Sequence, residues 1–327
     1  MYKFTQVLGR VALCALAVAL FAGCQAKEAP SAPGSEKPRI ALIMKSLANE
    51  FFKTMAQGAD DFHAKNGDRF ELIVNGIPNE EDVAGQVALV EQMIARGVDA
   101  IIIAPADSKA LVGVLDTATK QGIVVVNIDN KLDAQVLTER GLTIPFVGPD
   151  NKAGARLAAD YLATKLQSGD AVAILEGIPS AFNAQQRKLG LEEGVQAAGM
   201  KIATSQAANW EMAKANEVAS GILNEHVDLK AILCANDSMA LGAHAAVRES
   251  GKAGQILITG YDNIAAVAEL VKSGAILCTV DQHGDQLAVY GIEFALDILA
   301  KKGAPEDRQT PVDLVTLDSL QSAPAQQ

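Results

Sequence analysis

The chain is predicted to be an α/β protein built from two similar doubly wound parallel-sheet domains. Three observations in its 327 residues predict this: short apolar runs alternate with amphipathic stretches, a pair of motifs recurs, and polar residues gather where the apolar runs end. Half-hidden strands would alternate apolar and polar residues. Continuous apolar runs separated by helices instead indicate strands covered on both faces.

In the first half, Ile40–Met44, Glu71–Val74, Ala100–Ala104 and Ile123–Ile128 read as strands. Residues 50–66, 80–96 and 109–121 read as the helices between them, with Val83, Val87, Val90 and Ile94 marking one apolar face. In the second half the strands are Ala171–Leu175, Ile202–Thr204, Ala231–Cys234, Ile256–Thr259 and Ile276–Val280. Helices are expected near 151–167, 183–198, 210–225, 238–250, 263–273 and 284–302.

Asp99–Leu111 (DAIIIAPADSKAL) and Lys230–Leu241 (KAILCANDSMAL) both end a strand with Asp-Ser-x-Ala-Leu. One strand further on, VVVNIDN (124–130) corresponds to ILITGYDN (256–263). The same βα units therefore occur twice, about 130 residues apart, as in a duplicated domain.

Ligands of open parallel sheets bind outside the carboxyl ends of the strands. Asp107, Asp129, Asn236, Asp237 and Asp262 all stand at strand ends. Two domains facing each other would bring them to one cleft. Helix capping is the competing role. It is the expectation for Asp107 and Asp237, which directly precede Ser and a helix, whereas the cleft is favoured for Asp129, Asn236 and Asp262.

Lys and Arg total 28 against 39 Asp and Glu, a net charge of −11. That balance argues against nucleic acid, whose phosphates need a basic surface. The N-terminus has a basic start, an uncharged run from Val11 to Gly23, and then Cys24. The run is too short to span a bilayer and suits the core of a signal peptide. Phe21-Ala22-Gly23-Cys24 resembles a bacterial lipobox with Phe21 in place of the usual leucine, which implies export and a lipidated Cys24 at the end of a 1–24 leader. Residues 25–38, rich in Pro, Ser and Ala, read as a flexible tether. Cys234 and Cys278 lie in apolar runs without metal-ligand spacing and read as buried free thiols, a disulfide between them being the alternative.

No Walker loop, GxGxxG after the first strand, HExxH or GxSxG is present, and the four histidines show no ligand spacing. No metal, cofactor or catalytic residue is expected. Aromatic residues are only 4% of the chain, yet Phe51 and Phe52 are adjacent where the first strand meets the first helix, and the single tryptophan, Trp210, opens a helix in the other half. Aromatic faces suit the C–H faces of sugar rings, while carboxylates, amides and guanidinium groups bond their hydroxyls. Core packing is the competing role for the Phe pair.

Seven stretches stand together: Asn49-x-Phe51-Phe52; Asp129 in NIDNK; Arg187 in NAQQRKLG; Trp210 in AANWEMAKA; Asn236 in CANDSMALGA; Asp262 in GYDN; and Gln282 in TVDQHGDQ. Jointly, over about residues 38–320, they resemble the periplasmic sugar-binding proteins of the ribose and allose type, which feed ABC importers. The resemblance implies that these residues bind ligand. Ribose binders carry arginine immediately after the first strand-end aspartate, where this chain has Asn130. The stretch Lys131–Ile144 is longer than theirs and similar to the allose branch. Lys45 matches a lysine that the allose type uses on its ligand, and it could equally be a solvated strand-end lysine; Trp replaces Phe at 210. A hexose or polyol is therefore expected over ribose or another pentose.

The resemblance further implies a monomeric clamp with a three-crossing hinge and a ligand cleft between its domains. One domain would hold 39–149 plus 283–311 and the other 150–282 plus 312–327, with Gln282 near the hinge. The loaded form would dock on an ABC permease, and a chemoreceptor is a further possible partner. A receptor for a sugar-like autoinducer is the alternative role. A sugar-responsive repressor would need a DNA-binding segment and a basic face, and nothing in the sequence asks for an exported enzyme.

Overall fold

The computed structural model describes residues 37–302 and 304–322. The expected leader, Cys24 and most of the expected tether lie outside the described residues. The chain first runs β1 (Arg39–Ser46), α1 (Glu50–Asn66), β2 (Glu71–Ile77), α2 (Val83–Ala95), β3 (Ala100–Ile103), α3 (Val112–Lys120), β4 (Val124–Ile128), α4 (Ala134–Glu139) and β5 (Phe146–Pro149). It continues as α5 (Asn151–Ala163), β6 (Ala171–Glu176), α6 (Phe182–Ala197), β7 (Lys201–Ala207), α7 (Met212–Glu225), β8 (Leu229–Cys234), α8 (Asp237–Glu249), β9 (Leu257–Thr259), α9 (Ala265–Lys272) and β10 (Cys278–Asp281). It ends with α10 (Gly284–Leu299), β11 (Arg308–Thr310), β12 (Asp313–Thr316) and α11 (Leu317–Ser322).

Two six-stranded sheets result, in the orders β2-β1-β3-β4-β5-β11 and β7-β6-β8-β9-β10-β12. The orders are equivalent strand for strand, so the repeated motifs fall at matching places: DAIIIAPADSKAL on β3 and KAILCANDSMAL on β8. Period-two alternation explains why both faces of the first sheet are apolar. Ile40, Leu42 and Met44 of β1 meet Phe51, Phe52 and Met55 of α1 on one side. Ala41 and Ile43 meet Val90 and Met93 of α2 and Leu115 of α3 on the other.

Three connections join the sheets: β5 to α5, β10 to α10, and β11 to β12. Asp150 caps α5 by accepting from Ala153 N at 2.9 Å. The last connection is only Pro311-Val312. It carries the chain straight from one sheet edge to the other, so β11 runs parallel to β5 whereas β12 runs antiparallel to β10.

Several helices begin later than their periodicity predicts, each for a local reason. Asp82 caps α2 at Gly85 N, leaving Pro78–Asp82 as a loop. Asp107 accepts from Lys109 N and Ala110 N, both at 2.8 Å, and holds a turn ahead of α3. Asn209 and Trp210, at φ 54° and 69°, hold back α7. The expected helix near 238 is instead one residue longer at its start, because Asn236 rather than Asp237 is its N-cap. Elements α4, β5, β11, β12 and α11 were not anticipated.

Candidate ligand-binding site

The two strand-end aspartates occupy equivalent places and share an unusual backbone. Asp129, after β4, has φ 60°, and Asp262, after β9, has φ 122°. Such conformations cost about 1–3 kcal/mol and persist where the surroundings over-determine them. Asn127 supplies that restraint beside Asp129: its Nδ2 donates to Asn130 O at 2.8 Å and its Oδ1 accepts from Leu132 N at 2.8 Å.

Each aspartate faces a buried cation. Lys45, at the end of β1, places Nζ 3.1 Å from Asp129 Oδ2 and is 2% exposed. It is therefore not a solvated strand-end lysine. Arg187 of α6 lies 3.4 Å from Asp262 Oδ1 through Nη1, which also donates to Ala235 O at 3.0 Å, while its Nε donates to Asn151 Oδ1 at 2.8 Å. Gln282 Nε2 donates to the same Asp262 oxygen at 2.7 Å. Burial lifts the Asp262 carboxyl, against the pull of Arg187 and with the repulsion of Asp237.

The aromatics form the apolar walls. Phe51 and Phe52 meet edge to face with centroids 5.1 Å apart. Lys45 Nζ lies 5.7 Å from the Phe52 ring centre and 5.9 Å from that of Trp210, so the two lobes meet across this cation. Close backbone approach makes room for both aromatic elements. A Cβ on Gly177 would stand 2.0 Å from the Trp210 indole, and one on Gly284 would stand 2.6 Å from the Phe51 ring.

These groups enclose a cavity of about 240 Å³. Lys45, Asn49, Phe51, Phe52 and Asp129 line it from the first lobe, Arg187, Trp210, Asn236 and Asp262 from the second, and Gln282 from the connection between them. Asn130 departs from its expected place. It is fully buried and absent from the lining, because its Nδ2 donates to Pro105 O and its Oδ1 accepts from Ser108 Oγ and Asn183 N. It braces the turn behind Asp129 and touches the other lobe.

Capping and cleft roles coincide at two positions. Asn49 Oδ1 accepts from Phe51 N at 3.0 Å as the N-cap of α1, and Asn236 Oδ1 accepts from Met239 N at 2.9 Å as the N-cap of α8; both side chains line the cavity. Asp237, expected as a cap, is a buried brace instead. It accepts from Thr279 Oγ1 at 2.7 Å and Ile264 N at 2.9 Å, and burial pushes its carboxyl up to about 7.

Sequence reasoning missed two lining residues, Glu80 and Asn183. Asn183 stands one helical turn before Arg187 and shares its face, a spacing that could have revealed it. Glu80 follows the end of β2, where the strand-end rule applies as well. Tyr261 was also passed over, although its ring supports Arg187 from 3.8 Å. Cys234 and Cys278 are buried free thiols. Among the described residues no group of three or more His, Cys, Asp or Glu side chains is placed to hold a metal.

The lobes touch around the cavity. Phe182 N donates to Ser108 Oγ at 3.0 Å and Asn209 Nδ2 donates to Glu81 Oε1 at 2.7 Å. Ser238 Oγ lies 3.4 Å from Asn49 Oδ1. Two similar α/β lobes joined by three connections, with polar and aromatic side chains converging between them, define a binding-protein clamp.

Residues 40–303 match the periplasmic binding protein domain, and the chain belongs to that family. It is 55% identical over 285 residues to the D-ribose/D-allose-binding protein of Pseudomonas aeruginosa, covering 86% of this chain and 89% of the relative. A solved ABC transporter solute-binding protein from Burkholderia multivorans is 52% identical, with a TM-score of 0.84 over 86% of this chain and 100% of that one. Another, from Actinobacillus succinogenes with bound D-allose, is 38% identical, with a TM-score of 0.84 over 88% of this chain and 100% of that one. These relatives are binding proteins, and the chain is a binding protein rather than an enzyme.

Proposed function

We propose that this protein captures one monosaccharide between its lobes and delivers it to an ABC import permease. One observation carries the reading. Asn183 Oδ1, Trp210 Nε1 and Gln282 Oε1 are buried without a hydrogen-bond partner among the described residues, and all three residues line the cavity. Buried polar atoms are rarely left unpaired, so the site is complementary to a ligand rich in hydroxyls. The aromatic walls suit the ring's C–H faces, and the paired charges of Lys45, Asp129, Arg187 and Asp262 suit its oxygens.

Within that reading we infer a hexose or polyol of the allose type. Lys45 inside the cavity and Trp210 on its wall support this, as does the D-allose held by the Actinobacillus relative. D-Ribose is a second candidate, because the Pseudomonas relative is named for both sugars. Capture would proceed by hinge closure of 39–149 plus 283–311 over 150–282 plus 312–327, since ligand bridging both lobes favours the closed state. Cys24 would carry the lipid that tethers the exported protein to the membrane.

A thermal-shift and calorimetric screen of residues 25–327 against D-allose, D-ribose, other hexoses, pentoses and myo-inositol tests the proposal. Saturation at one hundred times Kd stabilises by about 2.7 kcal/mol. The strongest shift is expected from D-allose. A ribose optimum would overturn the hexose preference alone, and silence across all sugars would overturn monosaccharide capture.

A further inference from the structure

Glu80 differs from the other acids of the cleft. It lies in the loop Pro78–Asp82 after β2 and is 2% exposed. With Asn49 and Trp210, it lines both the cavity and the larger outer cleft beside it. The one hydrogen bond its carboxyl receives among the described residues comes from Asn49 Nδ2, 3.0 Å from Oε1.

Among the described residues, its charged surroundings offer no counter-ion of its own. Lys45 faces it from β1 but is committed to Asp129, 3.1 Å away. Asp129 itself faces it from the end of β4, and Glu211 faces it from the turn before α7. Glu50 and Lys53 of α1 line the outer cleft beside it. A buried carboxylate with a single amide donor is unfavourable, whereas a carboxylic acid in the same place can donate its proton to a neighbouring oxygen. Burial pushes the group up to about 7. Trp210 and Glu211 belong to the opposite lobe, so opening the clamp returns Glu80 to water.

We propose that Glu80 is a ligand-contacting, specificity-determining residue at the cavity mouth, and that closure over a sugar brings one proton from solvent onto its carboxyl, which donates a hydrogen bond to a sugar oxygen. This rests on the reading of the cleft as a monosaccharide site. As a neutral acid Glu80 presents a donor there, and ligands lacking an acceptor at that point are disfavoured.

Calorimetry with D-allose and D-ribose between pH 6 and pH 8, in paired buffers of different ionisation enthalpy, tests it. Wild type is expected to bind about tenfold more weakly at pH 8 than at pH 6, with close to one proton taken up at pH 6. Glu80→Gln keeps an N–H donor and an acceptor for Asn49; it should bind with little pH dependence and no proton uptake. Glu80→Leu should bind more weakly at every pH. Sugar binding by wild type without pH dependence or proton uptake would overturn this inference alone. Dependence that survives in Glu80→Gln would assign the proton to Asp237 or Asp262 and overturn it too. If wild type bound no sugar, both this inference and the function on which it rests would fall. Should Glu80→Gln fail to fold, Glu80→Leu carries the same test, and proton uptake that survives in it overturns the inference.

Discussion

The guanidinium of Arg187 lies 3.8 Å from the centre of the Tyr261 ring, while its Nη1 approaches Asp262, the next residue along, at 3.4 Å. One helix side chain thus holds the Tyr261-Asp262 strand end by stacking and by charge. The strained Asp262 backbone is braced by that contact and by Gln282.

Replacing Arg187 with Met should remove ligand binding and also destabilise the fold. Above about pH 8, where Asp262 is ionised, its carboxylate would be left buried without its cation, a loss of about 3–5 kcal/mol for a broken buried pair. Arg187→Lys restores charge but not the planar stack, so its stability should fall between the two. Denaturant titration and calorimetry check both variants. A stable Arg187→Met protein would show that the pair does not brace the site.

Gly177 leaves the space in which the Trp210 indole lies. Gly177→Ala should displace that ring, at about 1–3 kcal/mol of overpacking, and weaken sugar binding. Because Trp210 is the chain's single tryptophan, its emission reports the displacement directly. Unchanged emission together with unchanged affinity would contradict the role assigned to this contact.

Stability should fall as pH rises. Within the second lobe, burial pushes Asp237 up to about 7 and raises Asp262 to about 8. In the window from the ordinary carboxylate range to about pH 8, the folded protein therefore binds more protons than the unfolded chain. Its stability contribution from these groups is fully present below the unfolded values and is lost as pH rises through the folded ones. The ligand-free Tm should be higher at pH 5.5 than at pH 8.

The Asn209–Glu81 bond joins the lobes at the surface of the cleft. Glu81→Ala, which leaves the left-handed Asn209 untouched, should favour opening and raise Kd about two- to tenfold, the range expected for losing one such bond. The ligand-free Tm should hardly move, because neither partner contributes to a lobe's core. Small-angle scattering should show a larger radius of gyration for the variant when ligand is absent.

Most of the fold was legible because burial on both sheet faces forces uninterrupted apolar strands, and because the chain repeats its own motifs. Ala100–Ile103 and Leu229–Cys234 are unmistakable for that reason. The missed elements are those whose pattern is weak. Phe146–Pro149 ends in Gly and Pro, and Arg308–Thr310 with Asp313–Thr316 are short edge strands; their pairing depends on neighbours distant in sequence. Helix starts were set by side-chain caps and positive φ, as at Asp82 and Trp210, rather than by periodicity.

For the site, chain chemistry was enough to select the strand-end and aromatic residues, since Asn49, Asp129, Arg187, Trp210, Asn236, Asp262 and Gln282 all sit in local motifs. Folding settled what local motifs do not encode: which side chain meets which. Asn130 turned inward because Pro105 O, Ser108 and the opposite lobe offered its amide better partners than a cavity. Asp237 became a buried brace because Asn236 already capped the helix. Glu80 entered the site because Trp210 and Glu211 of the opposite lobe stand beside it, an approach of surfaces distant in sequence that no local motif encodes.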